Sequence, residues 1–132
     1  MAIEIKENNF RDSYMAMKKW LQNRNLGKNI GENLKLHGYK AVAIYGADDL
    51  SDMLIHEIKD TDIVVSYLIG KNGESRQEDE VPVVLFHDIA KQKEVDVILV
   101  PLNIDYESVN RKLLENHIAL PTLWIRDLVY EM

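Results

Sequence analysis

The chain has 132 residues, 46% of them hydrophobic and 29% charged, with 16 basic against 22 acidic side chains and a formal net charge of -6. That size and balance fit a single domain with a sizeable core and exclude a disordered or fibrous chain. The acidic balance, without any basic stripe, argues against nucleic acid as a partner, and the lack of cysteine excludes disulfides, thiolate nucleophiles and cysteine zinc sites.

Residues 1–11 alternate charged and polar types and lack the apolar run of a secretory signal. The strongest apolar runs, such as Val95 to Leu102, fall far short of the roughly 20 residues that span a bilayer. No membrane span and a cytoplasmic location are therefore expected.

In chain order, Tyr14, Met17 and Leu21 recur at helical spacing, which predicts a first helix from Asp12 to Arg24 with Asp12 or Ser13 at its cap. Asn25 and Gly27 interrupt it. Ile30 and Leu34 resume the period over a second helix, Lys28 to Leu36, with Gly38 just past its end. Ala41 to Gly46 is an almost wholly apolar run ending in glycine, as expected of a strand buried on both faces. Asp48, Asp49 and Asp52 then crowd a helix start, and Leu50, Met53, Leu54 and Ile58 predict its apolar face.

Asp62 to Ile69 reads as a second strand and Gly70 to Glu80 as a polar loop. Val81 to Val84 predicts a short edge strand, because Pro82 is tolerated only at edges and strand starts, and Asp88 to Lys93 a brief helix. Val95 to Val100 is the clearest later strand. A helix capped by Asp105 follows, with Tyr106, Val109 and Leu113 inward, then a strand from Pro121 to Ile125 and a terminal turn of helix.

Strands alternating with helices predict a three-layer α/β fold: a Rossmann-like parallel sheet of four or five strands preceded by an N-terminal helical arm. The arm covers residues 1–38, packed on an α/β unit of residues 39–132, as one domain overall. The Ala41 strand is expected at the centre, the Asp62 strand on one side and the Val95 and Pro121 strands on the other.

In such a sheet a ligand sits beyond the carboxyl ends of the strands, where the winding reverses. Here that brings Gly46, Ala47, Asp48 and Asp49 opposite Pro101 and Asn103, with Lys71 following the second strand as a candidate phosphate contact. A dinucleotide fingerprint needs three glycines so that backbone N–H groups approach a pyrophosphate. Gly46 to Ser51 supplies only the first, with aspartates at and beside the second glycine position. Each carboxylate close to a phosphate costs about 1–4 kcal/mol, depending on the local dielectric. The usual dinucleotide is disfavoured unless a metal bridges Asp48 or Asp49 to phosphate.

No catalytic residue, metal or cofactor is assigned. His37, His56, His87 and His117 stand far apart in sequence and mostly near helix ends, and His87–Asp88 is the pair that could serve as an oriented base. A receiver-like phosphoacceptor site would need an aspartate ending a central strand, and Val100-Pro101 does not provide one.

The segments His37 to Gly46, Asp62 to Tyr67 and Val95 to Val100, with the leading helix around Trp20-Leu21, together resemble small bacterial Rossmann-like modules. Those modules accompany glycosyltransferases and nucleotide-sugar enzymes of surface-polysaccharide synthesis. The resemblance implies a nucleotide-binding-like domain, with a polysaccharide-synthesis enzyme as partner. Only Gly46 matches the glycine-rich turn of that group, and Gly70 stands where an acidic residue commonly follows its second strand. The leading expectation is a degenerate or non-catalytic binding module that associates with itself through the N-terminal helices, or with such an enzyme. The alternative is a domain or enzyme that binds a nucleotide or nucleotide-sugar. An apolar stripe left exposed on the arm favours the first; open backbone N–H groups at the Asp48 turn favour the second.

Overall fold

A computed structural model describes residues 2–70 and 81–132. Helix α1 spans Ala2–Asn25, so the predicted start at Asp12 is corrected. No glycine or proline stands between Ala2 and Asp12 to end a helix. Asp12 and Ser13 lie within α1 instead of capping it, and the Ser13 hydroxyl accepts a hydrogen bond from Arg126 Nη2 at 2.9 Å.

The face of α1 that packs also differs from the predicted one. Ala16, Trp20 and Asn23 are buried, whereas Tyr14, Met17 and Leu21 are exposed. Both sets have helical spacing, and polar contacts decide which is covered. Trp20 Nε1 donates to Glu57 Oε1 at 2.8 Å, and Asn23 Nδ2 donates to the Val129 carbonyl at 2.8 Å. Helix α2 (Ile30–Leu36) is capped by Asn29, whose side chain accepts from Glu32 N, and Gly38 follows its end at φ +86°.

Five strands follow: β1 (Ala41–Tyr45), β2 (Val64–Gly70), β3 (Val83–Leu85), β4 (Val97–Val100) and β5 (Thr122–Trp124). They form one sheet in the order β3-β2-β1-β4-β5, every pairing parallel. The β1 strand is central, as its apolar run implies, and the proline-containing Val81 segment leads into the edge strand β3. The predicted loop begins in β2, at Gly70; its residues 71–80, Lys71 among them, lie outside the described residues.

Helix α3 (Asp49–Ile58) connects β1 to β2, and a 3-10 helix (Phe86–Lys91) connects β3 to β4. Helix α4 (Tyr106–Glu115) connects β4 to β5, and α5 (Ile125–Glu131) follows β5. Alternate residues of each strand point to opposite faces. On one face Val42, Ile44, Leu68 and Leu99 pack with Trp20, Ile30, Leu34, Leu54, Ile58 and Leu128. On the other, Ala43, Tyr67, Ile98 and Val100 pack with Ile89, Val109 and Leu113. Fully burying a leucine, isoleucine or valine contributes about 1.5–3 kcal/mol, whereas an exposed ion pair such as Lys35–Asp62 is screened by solvent and contributes little. The two apolar layers therefore hold the fold. Met53 does not join them; it is half exposed beside α1.

Candidate crevice at the carboxyl ends of the strands

Strand β1 is followed by a connection to β2 on one side, and β4 lies on its other side, so the winding reverses between β1 and β4. A crevice of about 550 Å³ opens there, lined by residues that include Tyr45, Gly46, Ala47, Asp48, Gly70, Phe86, Ile104, Asp105, Ser108 and Lys112. That volume lies within the roughly 300–1,000 Å³ usual for small-molecule sites.

Gly46 turns the chain out of β1 at φ +103°, in the region that disfavours a side chain. Its N–H donates to the Ile69 carbonyl at 2.7 Å, tying the turn to the end of β2. Asp48 then caps α3: its Oδ1 accepts from Leu50 N at 3.1 Å and from Ser51 N at 3.2 Å. Ser51 is buried, and its hydroxyl donates to the Gly46 carbonyl at 2.9 Å. The helix N–H groups that would meet a phosphate in a dinucleotide-binding turn are thus held by the chain's own carboxylate.

The opposite wall repeats this arrangement. Asp105 Oδ1 accepts from Glu107 N at 3.1 Å and Ser108 N at 3.3 Å, and the Ser108 hydroxyl donates to Asp105 Oδ2 at 3.0 Å. The Ser108 hydroxyl, followed by the Ser108 backbone N–H, holds the Asp105 carboxyl below its ordinary range. Two capping carboxylates, Asp48 and Asp105, therefore face one crevice. Among the described residues, the cation on its wall is Lys112, whose Nζ lies 4.3 Å from the centre of the Phe86 ring. Burial pushes the Tyr45 phenol above its usual value and so keeps it protonated at neutral pH.

Of the residues expected at the site, Gly46, Ala47 and Asp48 line this crevice. Asp49 is the exposed first residue of α3. Pro101 is buried at the end of β4, where its carbonyl accepts from Trp124 Nε1 at 3.2 Å, and Asn103 is exposed beyond it; neither belongs to the lining. The second acidic group at the crevice is thus Asp105, whose capping pattern was legible but whose approach to Asp48 was not. Ser108 and Lys112, one and two turns further along α4, carry no separate sequence signal. Phe86 stands directly after β3 and is positioned by sheet order alone.

His87 is largely exposed, 3.7 Å from Asp88 Oδ2, and stands outside the lining. Among the described residues, no group of three histidine or acidic side chains could hold a metal ion, and no helix is long and apolar enough to cross a membrane. A five-stranded parallel sheet in this order, with helices on both faces, makes the chain an α/β protein of Rossmann-like arrangement with an N-terminal helix. No protein-family model and no curated protein matches the sequence.

Proposed function

We propose that the chain is a degenerate Rossmann-like binding module that acts by association, with itself or with an enzyme of cell-surface polysaccharide synthesis, in the cytoplasm. The observation that carries this reading is the Asp48 carboxylate on Leu50 N and Ser51 N. A diphosphate at this turn would have to displace a bonded carboxylate and then lie beside Asp48 and Asp105, whose like charge repels it. The polysaccharide context rests on the sequence resemblance alone. Support for association comes from Tyr14, Met17 and Leu21, which form an exposed apolar stripe.

A second reading is favoured by the crevice itself. Its volume and its Tyr45 and Phe86 walls fit a nucleoside or sugar bound through ring stacking and hydroxyl contacts to the carboxylates, without a phosphate at the α3 terminus. A thermal-shift panel of dinucleotides, nucleoside diphosphates, nucleotide-sugars and free nucleosides, with and without magnesium, separates the two. A ligand at 100 times its dissociation constant adds about 2.7 kcal/mol, several degrees in a domain of this size. Flat curves throughout are expected. A shift with nucleosides favours the second reading, and a shift that requires the diphosphate overturns both.

A further inference from the structure

Phe10, Tyr14, Met17 and Leu21 are 78%, 60%, 38% and 62% exposed. Their spacing of four, three and four residues sets them in one seam along α1, turned away from the Ala16, Trp20 and Asn23 face that packs on the domain. Beside the seam, Met17 and Leu21 form an apolar groove of about 150 Å³ with Leu50 and Met53 of α3. At about 1.5 Å per residue, the 24-residue helix is about 36 Å long, and between residues 10 and 15 it has no buried side chain. A helix so exposed over residues 10–15 gains little from tertiary packing there.

We infer that a second copy of this chain covers the seam, with the two α1 helices antiparallel about a two-fold axis between Tyr14 and Met17. This rests on the association reading above and specifies its partner. The first argument is register. Antiparallel pairing sets Phe10 against Leu21 of the partner subunit and Tyr14 against Met17 of the partner subunit, an aromatic facing an aliphatic at all four layers. Parallel pairing would instead set like side chains together at every layer, Phe10 on Phe10 of the partner subunit and Met17 on Met17 of the partner subunit. The isologous contact closes on itself and leaves no open edge for further copies.

The second argument is area. Taking about 200 Å² for each large side chain, the exposed fractions of Phe10, Tyr14, Met17, Leu21 and Met53, the last 50% exposed, leave roughly 580 Å² of apolar surface per protomer. With the polar third of a typical homodimer interface added, complete coverage of these side chains would bury about 1,700 Å² in the pair, inside the 1,200–2,000 Å² of standard stable interfaces.

Sedimentation velocity of the full chain between about 1 and 100 µM tests the pairing. The expected species has twice the 15.3 kDa of the monomer. Tyr14→Glu with Leu21→Glu should weaken the dimer by about 100-fold or more, because four buried seam positions become charged. Its far-ultraviolet dichroism and melting at low concentration should stay at the monomer's values. Leu36→Glu, at an exposed leucine of α2 away from the seam, should leave the dimer intact. Because the chain has no cysteine, an oxidised mixture of Phe10→Cys and Leu21→Cys chains reports direction, and the mixed disulfide should dominate. A monomer at every concentration, or a dimer indifferent to the seam substitutions, overturns the pairing; dominant like-with-like disulfides overturn its antiparallel order. Either failure leaves the capped crevice to be judged by the ligand panel, so the two readings fall separately.

Discussion

Glu57 offers the sharpest test of how the helical arm is joined to the sheet domain. Its side chain, on α3, is almost wholly buried and accepts from Trp20 Nε1 of α1 at 2.8 Å and from Ile30 N, the first residue of α2, at 2.7 Å. Arg24 Nε lies 3.5 Å from the same carboxylate. Glu57→Ala leaves two buried donors without an acceptor, and each hydrogen bond to a charged group contributes about 1.5–3 kcal/mol. The expected loss is about 3–6 kcal/mol, a large share of the roughly 5–15 kcal/mol that stabilises a typical domain. Glu57→Gln keeps one acceptor but turns an amide donor toward the other N–H, so about half that loss is expected. Urea unfolding followed by tryptophan fluorescence and by far-ultraviolet dichroism reads both variants; the shift should lie in the midpoint and not in the slope. If Glu57→Ala cost under about 1 kcal/mol, or the two variants were equal, the donors would be satisfied elsewhere and the reasoning refuted.

Three further outcomes are expected. The Asp96 carboxylate accepts from Ala41 N and Lys40 N, bonds that hold it below its ordinary value. Its protons therefore bind more readily in the unfolded chain, so its contribution is complete above the unfolded value of about 3.9 and is lost as pH falls through the folded one. In acid titrations monitored by dichroism, Asp96→Asn should be less stable at neutral pH and should lose less stability than the parent below about pH 4. At Gly31, a built Cβ would lie 2.6 Å from Thr61 Oγ1 and 2.7 Å from Thr61 Cγ2, so Gly31→Ala should cost about 1–3 kcal/mol in urea unfolding despite alanine's better helix propensity. Adding Thr61→Gly should recover part of that loss. Asp48→Ala removes the α3 cap and should cost about 1 kcal/mol by the same assay.

Much of the sheet was legible because its cues are local. The runs Ala41 to Gly46 and Val97 to Val100 are apolar on both faces, and Pro82 marks an edge, cues that agree with the observed strand order. Asp48 and Asp105 read as caps for the same reason: a cap acts within three residues. What depends on distant contacts was not legible. Periodicity alone does not choose between the Tyr14 and Trp20 stripes of α1, because that choice rests on Glu57, 37 residues beyond Trp20, and on Val129, 106 residues beyond Asn23. The polar Asn23 at a buried position hides the true core face. At the crevice, sequence placed an acidic group beside Asp48 but chose Asp49, which follows it in the chain; Asp105 faces the same crevice through the packing of α4 on the sheet.

Asp48 holds the Leu50 and Ser51 N–H groups of the turn after β1, which should leave that turn closed to phosphate. The most direct measurement is an amide nitrogen–proton correlation spectrum of the chain titrated with a nucleoside diphosphate, with and without magnesium. The amides of Gly46, Leu50 and Ser51 are expected to keep their positions to millimolar ligand. Saturable shifts centred on those three amides would show the carboxylate cap displaced and would contradict it.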